Sequence, residues 1–198
     1  MGEAAILSEQ DRRSTDGRRR RSETSRDKIV EAMLAIVAEG QITPSAEQVA
    51  LRAEVGLRSV FRHFKDMESL YAEMTARLSR QYQMWLVPFT APDWRGQLAE
   101  VLERRASTYE KLMPFKRAAD AHRHESAAIQ AEHGRTLAMM RARLKSLLPE
   151  DISGDELRFE MLDLLLSFEA WQRLRVEQNL SARKARALLK AQVDRLTA

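Results

Sequence analysis

The chain has 198 residues, 44% of them hydrophobic and 31% charged, with a formal net charge of +4. These are the proportions of a soluble globular protein with room for one or two cores, and the absence of cysteine excludes a disulfide framework and a zinc finger. No apolar run approaches a membrane span and the start, M-G-E-A-A-I-L-S-E-Q-D, has no signal core, so a cytoplasmic location is expected.

Residues 1–23 are polar and charged without a hydrophobic period, and a disordered basic arm is expected there. Arg18, Arg19, Arg20 and Arg21 form an unbroken cationic run, followed by Arg26 and Lys28. Such a run suits phosphate contacts, and equally suits a solvated tail. Ile29, Met33, Ile36 and Val37 then predict a first helix over about 24–39, which Gly40 is placed to end. Ser45 and Gln48 have the spacing of a capping box for a second helix, with Ala46, Val49 and Ala50 inward. A sharp turn is expected at Gly56, where a left-handed residue costs least as glycine.

The third predicted helix, about 58–64, sets Arg58, Ser59, Arg62 and His63 beside the apolar anchors Val60, Phe61 and Phe64. A helix that only packs has no use for both kinds of residue, whereas one that lies on DNA needs both. Asp66 can cap a fourth helix carrying Leu70, Met74, Leu78, Tyr82 and Trp85, and Pro88 and Pro92 then interrupt the chain.

Beyond that boundary every periodic segment is helical. Leu98, Val101, Leu102, Ala106 and Tyr109 form one stripe, and Pro114 is expected to begin a short helix. Residues 118–148 suit one long helix or two, with Ala127, Leu137, Met140, Leu144 and Leu147 largely inside. Ser153 and Glu156 are spaced as a capping box for a helix over about 155–177. That helix carries Met161, Leu162, Leu164, Leu165, Leu166, Phe168 and Trp171, apolar on more than one side, as a helix at a subunit interface would be. Ser181 caps a last helix with Ala185, Leu188, Leu189, Val193 and Leu196. No strand pattern, phosphate-binding glycine loop or internal repeat is present in the sequence.

The string V-A-L-R-A-E-V-G-L-R-S-V-F-R-H-F-K-D-M-E-S-L, within a resemblance covering about Arg26 to Leu78, resembles the tetracycline-repressor (TetR) family. The family pattern is I-A-x-x-A-G-V-S-x-x-x-[LF]-Y-x-H-F-x-x-K-x-x-L. The resemblance implies an all-α protein of about nine helices. Its three-helix helix-turn-helix DNA-binding domain would span residues 24–70, and a helical effector-binding and dimerisation domain residues 71–198. It implies phosphate contacts near Ser45 and Gln48, base contacts from Arg58 and Ser59, and a base or phosphate contact from Arg62. His63 and Lys65 would touch the DNA backbone, and the Phe61 ring would lie beside a sugar. Two departures stand out: Phe61 replaces the family's tyrosine and Met67 its lysine, so two phosphate contacts are missing. Arg52 or the arginine run Arg18–Arg21 are candidates to replace them.

The resemblance further implies a homodimer and a palindromic double-stranded DNA operator. Leu165, Phe168, Trp171, Leu188, Leu189 and Val193 are the expected interface. A repressor released by a small-molecule effector is implied, with Trp85, Tyr109, Met113, Phe115, His122, Met140, Phe168 and Trp171 as candidate pocket residues. The alternatives are a DNA-binding protein of the same fold without an effector and, more remotely, a helical enzyme. No nucleophile–base pair, paired-carboxylate site or cofactor loop supports the enzyme. No cofactor is expected. His122, His124 and His133 with Glu125 and Glu132 do not form a matched ligand set, so no metal site is expected either.

Overall fold

In a computed structural model the chain is described over residues 23–81 and 87–198, and among these residues every regular element is helical. The arginines 18–21 and all but the last residue of the expected arm, together with Tyr82 and Trp85, lie outside the described residues. None of the described helices is long and apolar enough to cross a membrane.

Helix α1 (23–38) ends as expected at Gly40, whose φ of +100° carries the chain out of the helix. The Gly40 and Gln41 amides donate back to the Val37 and Ile36 carbonyls, closing the helix end. α2 (Ala46–Arg52) is capped by Ser45, whose Oγ accepts from the Gln48 amide at 3.3 Å while Gln48 Oε1 accepts from the Ser45 amide at 2.8 Å. The turn that follows differs from expectation. Its left-handed residue is Glu54 (φ 55°), whereas Gly56 is extended at φ −69° and ψ 147°. The reason is the way α2 ends: Glu54 and Val55 donate to the Leu51 and Ala50 carbonyls, a pattern that puts the left-handed position directly after the C-cap. Gly56 then serves as the extended residue before α3 (Leu57–His63).

α4 (Met67–Gln81) begins at Asp66, whose Oδ1 accepts from the Ser69 amide at 2.8 Å. Its Tyr71 hydroxyl donates to the Ile42 carbonyl at 3.0 Å, tying α4 to the loop that precedes α2. Ion pairs of Arg26 with Glu73 and of Arg77 with Asp27 and Glu31 hold α1 beside α4.

α5 (Trp94–His122) is one helix of 29 residues, about 43 Å long, with Pro114 inside it. The expected helix start at Pro114 is therefore not observed. Proline removes one hydrogen bond and costs about 3 kcal/mol in a free helix. Packing on both flanks holds this helix through it: Leu112 and Phe115 lie against one core and Met113 against another. α6 (Ala127–Leu147) starts at Ser126, so the 118–148 segment is the end of one helix and the whole of a second. Met140 and Leu144 are buried as expected, but Ala127 and Leu137 are exposed.

A single turn, α7 (Glu150–Ser153), leads to α8 (Glu156–Leu165), which Asp155 caps in place of the expected Ser153. The helix expected over 155–177 is broken. Leu166 leaves helical geometry, and Ser167 caps α9 (Phe168–Gln172), which continues into a π-helical turn (Arg173–Glu177). α10 (Ala182–Leu196) closes the chain, capped by Ser181.

Two cores result. The first joins α1–α4 with Ala118 and Ala119 from the end of α5 and Ile129 from α6. The second joins the rest of α5 and α6 with α7–α10. Phe168, Trp171, Leu189 and Val193, expected on the dimer interface, are buried in this second core of the subunit itself, and Leu165 is half-buried against it. Of the expected interface residues Leu188 is exposed (40%), on α10, and further exposed apolar side chains lie on α8: Leu157 (80%), Met161 (46%) and Leu164 (55%). The apolar pattern on α8 is two-sided, and only contacts in space tell the inner side from the outer.

Candidate nucleic-acid interface and effector cavity

The reading face starts from the packing of α3. Val60 and, just after the helix, Phe64 are buried, so the rest of α3 must face away. Arg58, Phe61 and Arg62 are exposed, with Lys65 just beyond, while Ser59 and His63 are half-buried. Arg58, Arg62 and Lys65 make no ion pair with a carboxylate among the described residues. Other cations of the head are committed. Arg52, a candidate to replace the missing phosphate contacts, is bound to Glu39 at 2.5 Å, and Arg26 is bound to Glu73 and stacked 4.6 Å over the Phe64 ring. Met67 is partly buried against the first core.

The α2 cap adds donors to this face. The acceptor atoms of Ser45 and Gln48 are used in the capping box, and Gln41 Nε2 also donates to Gln48 Oε1 at 2.7 Å. The Ser45 hydroxyl is engaged by Glu47, whose carboxyl it holds below the usual range, while the Gln48 amide hydrogens remain available to a phosphate. Burial, and then the charges of Arg62 and Arg26, hold the His63 imidazole below its ordinary value, so it is neutral at pH 7. Leu57 is 38% and Phe61 48% exposed, one helical turn apart, which places an apolar strip beside the cations. Leu57 was legible as a surface residue only through its distance from Val60 and Phe64.

A cavity of about 140 Å³ lies where α4, α5, α6 and α9 meet. Tyr109, Phe115, Met140 and Phe168 line it, as expected of four of the candidate pocket residues. Met113, His122 and Trp171 are outside its lining, and Trp85 is outside the described residues. Met113 packs into the second core. Trp171 is 1% exposed there, its Nε1 donating to Glu110 at 3.0 Å. His122 instead stacks on Tyr71 at 4.0 Å, with its Nε2 buried and lacking a hydrogen-bond partner among the described residues.

The lining residues that sequence reading passed over are mostly polar. They include Thr75 and Ser79 of α4, Arg105, Lys116 and Asp120 of α5, and Glu132 and His133 of α6. Arg105 carried a signal: it stands three, four and seven residues after Leu102, Val101 and Leu98, on the same helical face as that apolar stripe. His133 Nε2 accepts from Arg123 at 3.0 Å, and burial, followed by the charges of Lys116 and Arg123, keeps its ring below the usual value. Among the described residues no group of three or more His, Asp or Glu is arranged to hold a metal ion.

A capped α2, a turn and a short cationic α3 make a helix-turn-helix, and the helices that follow it surround a cavity. No protein-family model matches the sequence, and no curated protein does. Solved structures do match in shape. A transcriptional regulator from Pseudomonas aeruginosa superposes with a TM-score of 0.62 at 20% identity, over 86% of this chain and 89% of its own. A Rhodococcus protein classed as a TetR-family transcriptional regulator gives 0.61 at 18%, over 88% of this chain and 99% of its own. Another so classed, from Mesorhizobium loti, gives 0.63 at 18%, over 89% and 96%. The chain has the all-helical fold of the TetR family.

Proposed function

We propose that the chain is a homodimeric transcriptional regulator that binds a palindromic DNA operator and, acting as a repressor, lets go when a small molecule fills its cavity. The observation that carries this reading is the set Arg58, Arg62 and Lys65: exposed, without carboxylate partners among the described residues, on or just after a helix whose other side is locked into a core. Cations held in that way are placed for phosphates and for guanine edges. Leu57 and Phe61 supply apolar contact for thymine methyl groups. Phe61 has no hydroxyl to offer a phosphate, and the Gln48 side-chain amide serves the backbone instead. A two-fold dimer would set its two α3 helices about 35 Å apart, one turn of DNA.

Release follows from where the cavity lies. Thr75, Leu78 and Ser79 in its wall belong to α4, the helix that follows α3 directly, and the Tyr71 hydroxyl links α4 to the loop before α2. An occupant that fits better when α4 is displaced shifts the protein towards a conformation that does not fit DNA. A differential affinity of a few kcal/mol suffices.

Arg58→Ala is expected to weaken binding to the selected operator by about 1–3 kcal/mol and to relax the base preference at one position of each half-site. A competition assay against operators varied one base pair at a time reads this directly. Equal losses on every sequence would contradict base reading by Arg58.

His63 provides a pH test. Its pKa in the free protein is lowered, chiefly by burial. A phosphate beside the ring favours the imidazolium, so the complex holds more protons than the free protein and affinity rises as pH falls through the range of histidine titration. His63→Gln should flatten that rise. A wild-type affinity that does not change between pH 7.5 and 5.5, roughly the range of histidine titration, would remove His63 from the backbone contacts.

A further inference from the structure

The wall of the cavity holds one deeply buried charge that lacks an opposite partner. Asp120 is paired with Lys116 at 2.8 Å and Arg123 at 3.4 Å, Glu132 with Arg135 at 2.5 Å, and Asp163 with Arg141 at 2.6 Å. Glu169 is an exposed residue 4.0 Å from Lys116. Arg105 differs from all of these. It is only 8% exposed, and no carboxylate oxygen among the described residues comes within 4.0 Å of its guanidinium.

Arg105 is held by backbone. Its Nη1 donates to the Leu166 carbonyl at 3.1 Å and its Nη2 to the Met140 carbonyl at 2.9 Å. The Leu166 carbonyl is open to side chains because α8 ends there, and the Tyr109 hydroxyl donates to the same oxygen at 3.1 Å. These contacts fix the plane of the guanidinium without neutralising its charge. The two carbonyls take one N–H from each terminal nitrogen, which leaves three of its five N–H groups for a ligand. A small void shared by Arg105 and Met140 is also walled by Arg104 and Arg143, and burial, followed by the charge of Arg104, lowers the Arg143 pKa.

Beside Arg105 the cavity wall is apolar. Tyr109 and Phe168 meet edge to face at 5.5 Å, with Leu112 and Met140 close by. Dry cavities of about 150 Å³ accept a benzene-sized group, so a volume near 140 Å³ suits one ring. We propose that the cavity binds a small hydrophobic carboxylic acid, one aromatic ring in size, whose carboxylate pairs with Arg105 and whose ring packs on Tyr109 and Phe168. The proposal rests on the cavity being the effector site and names the chemistry of its ligand. The fork of Arg105 matches a carboxylate in a bidentate pair, which a lysine would not reproduce.

The test is calorimetric titration of the full chain with benzoate, benzyl alcohol and benzylamine, which share a ring and differ in charge. Benzoate is expected to bind about tenfold or more tightly than either of the others, as a charge-assisted pair requires. Arg105→Met should bring benzoate down to the level of benzyl alcohol, whose own affinity stays within about twofold because it has no charge to pair. Arg105→Lys should retain part of the preference, and it serves together with the wild-type series if the methionine variant loses its helicity. A preference for benzylamine, equal affinity for all three, or no binding of any of them overturns the proposal. Repeating the titration beside a mobility assay, on DNA that the protein selects from a random pool, separates the two readings. Benzoate that binds through Arg105 but leaves DNA binding unchanged supports the carboxylate site and counts against release.

Discussion

Leu164→Glu is expected to leave the subunit folded and to abolish the proposed homodimer. α8 exposes Leu157, Met161 and Leu164 four and three residues apart, on the side away from Phe159, Leu162 and Leu166, which fill the core. α10 packs against α8 and exposes Leu188 with Ala187 and Ala191. Several large apolar side chains exposed on two packed helices are candidates for an interface. Two copies meeting about a two-fold axis would cover them with their own equivalents.

A glutamate at 164 would bury an unpaired carboxylate from each subunit, at roughly 3–5 kcal/mol. Four kcal/mol corresponds to about a thousandfold in the dimer dissociation constant. Operator affinity would fall with it, because a monomer holds one half-site. Leu164 is a surface residue of the subunit, so the circular dichroism and melting of the monomer should stay close to wild type. Sedimentation equilibrium decides the matter: a Leu164→Glu protein that remains dimeric at micromolar concentration places the interface elsewhere.

Trp171→Ala should act in the opposite way, on folding and only through it on assembly. Trp171 is 1% exposed in the second core, Arg186 lies 5.6 Å over its ring, and its Nε1 donates to Glu110. Truncating a buried tryptophan costs about 3–5 kcal/mol, a large share of the 5–15 kcal/mol that typically separates a folded domain from its unfolded chain. Glu110 would not be orphaned, because Arg175 grips it at 2.6 Å and holds its carboxyl below the usual range. Trp171→Phe keeps most of the packing and should cost less than half as much as the alanine variant. Urea denaturation measures both. A loss under about 1 kcal/mol for the alanine variant would mean that the site collapses without leaving a cavity.

What the sequence shows of this structure is what neighbours along the chain decide. The Ser45–Gln48 box, the Asp66 cap and the exit at Gly40 depend on three or four adjacent residues, and they are observed as expected. Pro114 and the break at Leu166 depend on distant packing, and neither is evident locally. The same distinction runs through the candidate sites. Arg58, Arg62 and Lys65 are recognisable beside the buried Val60 and Phe64. The outer face of α8 is indistinguishable by composition from the inner, since leucines and methionines occupy both. Arg105 hides for a different reason. Arginine is read as a surface residue by habit, although its spacing puts it among Leu98, Val101 and Leu102.

The sharing of α5 between the two cores limits how this chain can be recombined. The proline-bearing segment before Trp94 looks like a natural seam at which to splice one reading head onto another sensor. Yet the core of the head is completed by Ala118, Ala119 and Ile129, which lie beyond that seam. A hybrid joined there would set Met74 and Leu78 against a stranger's surface. A working exchange has to carry the last turns of α5 and the first turn of α6 along with the head.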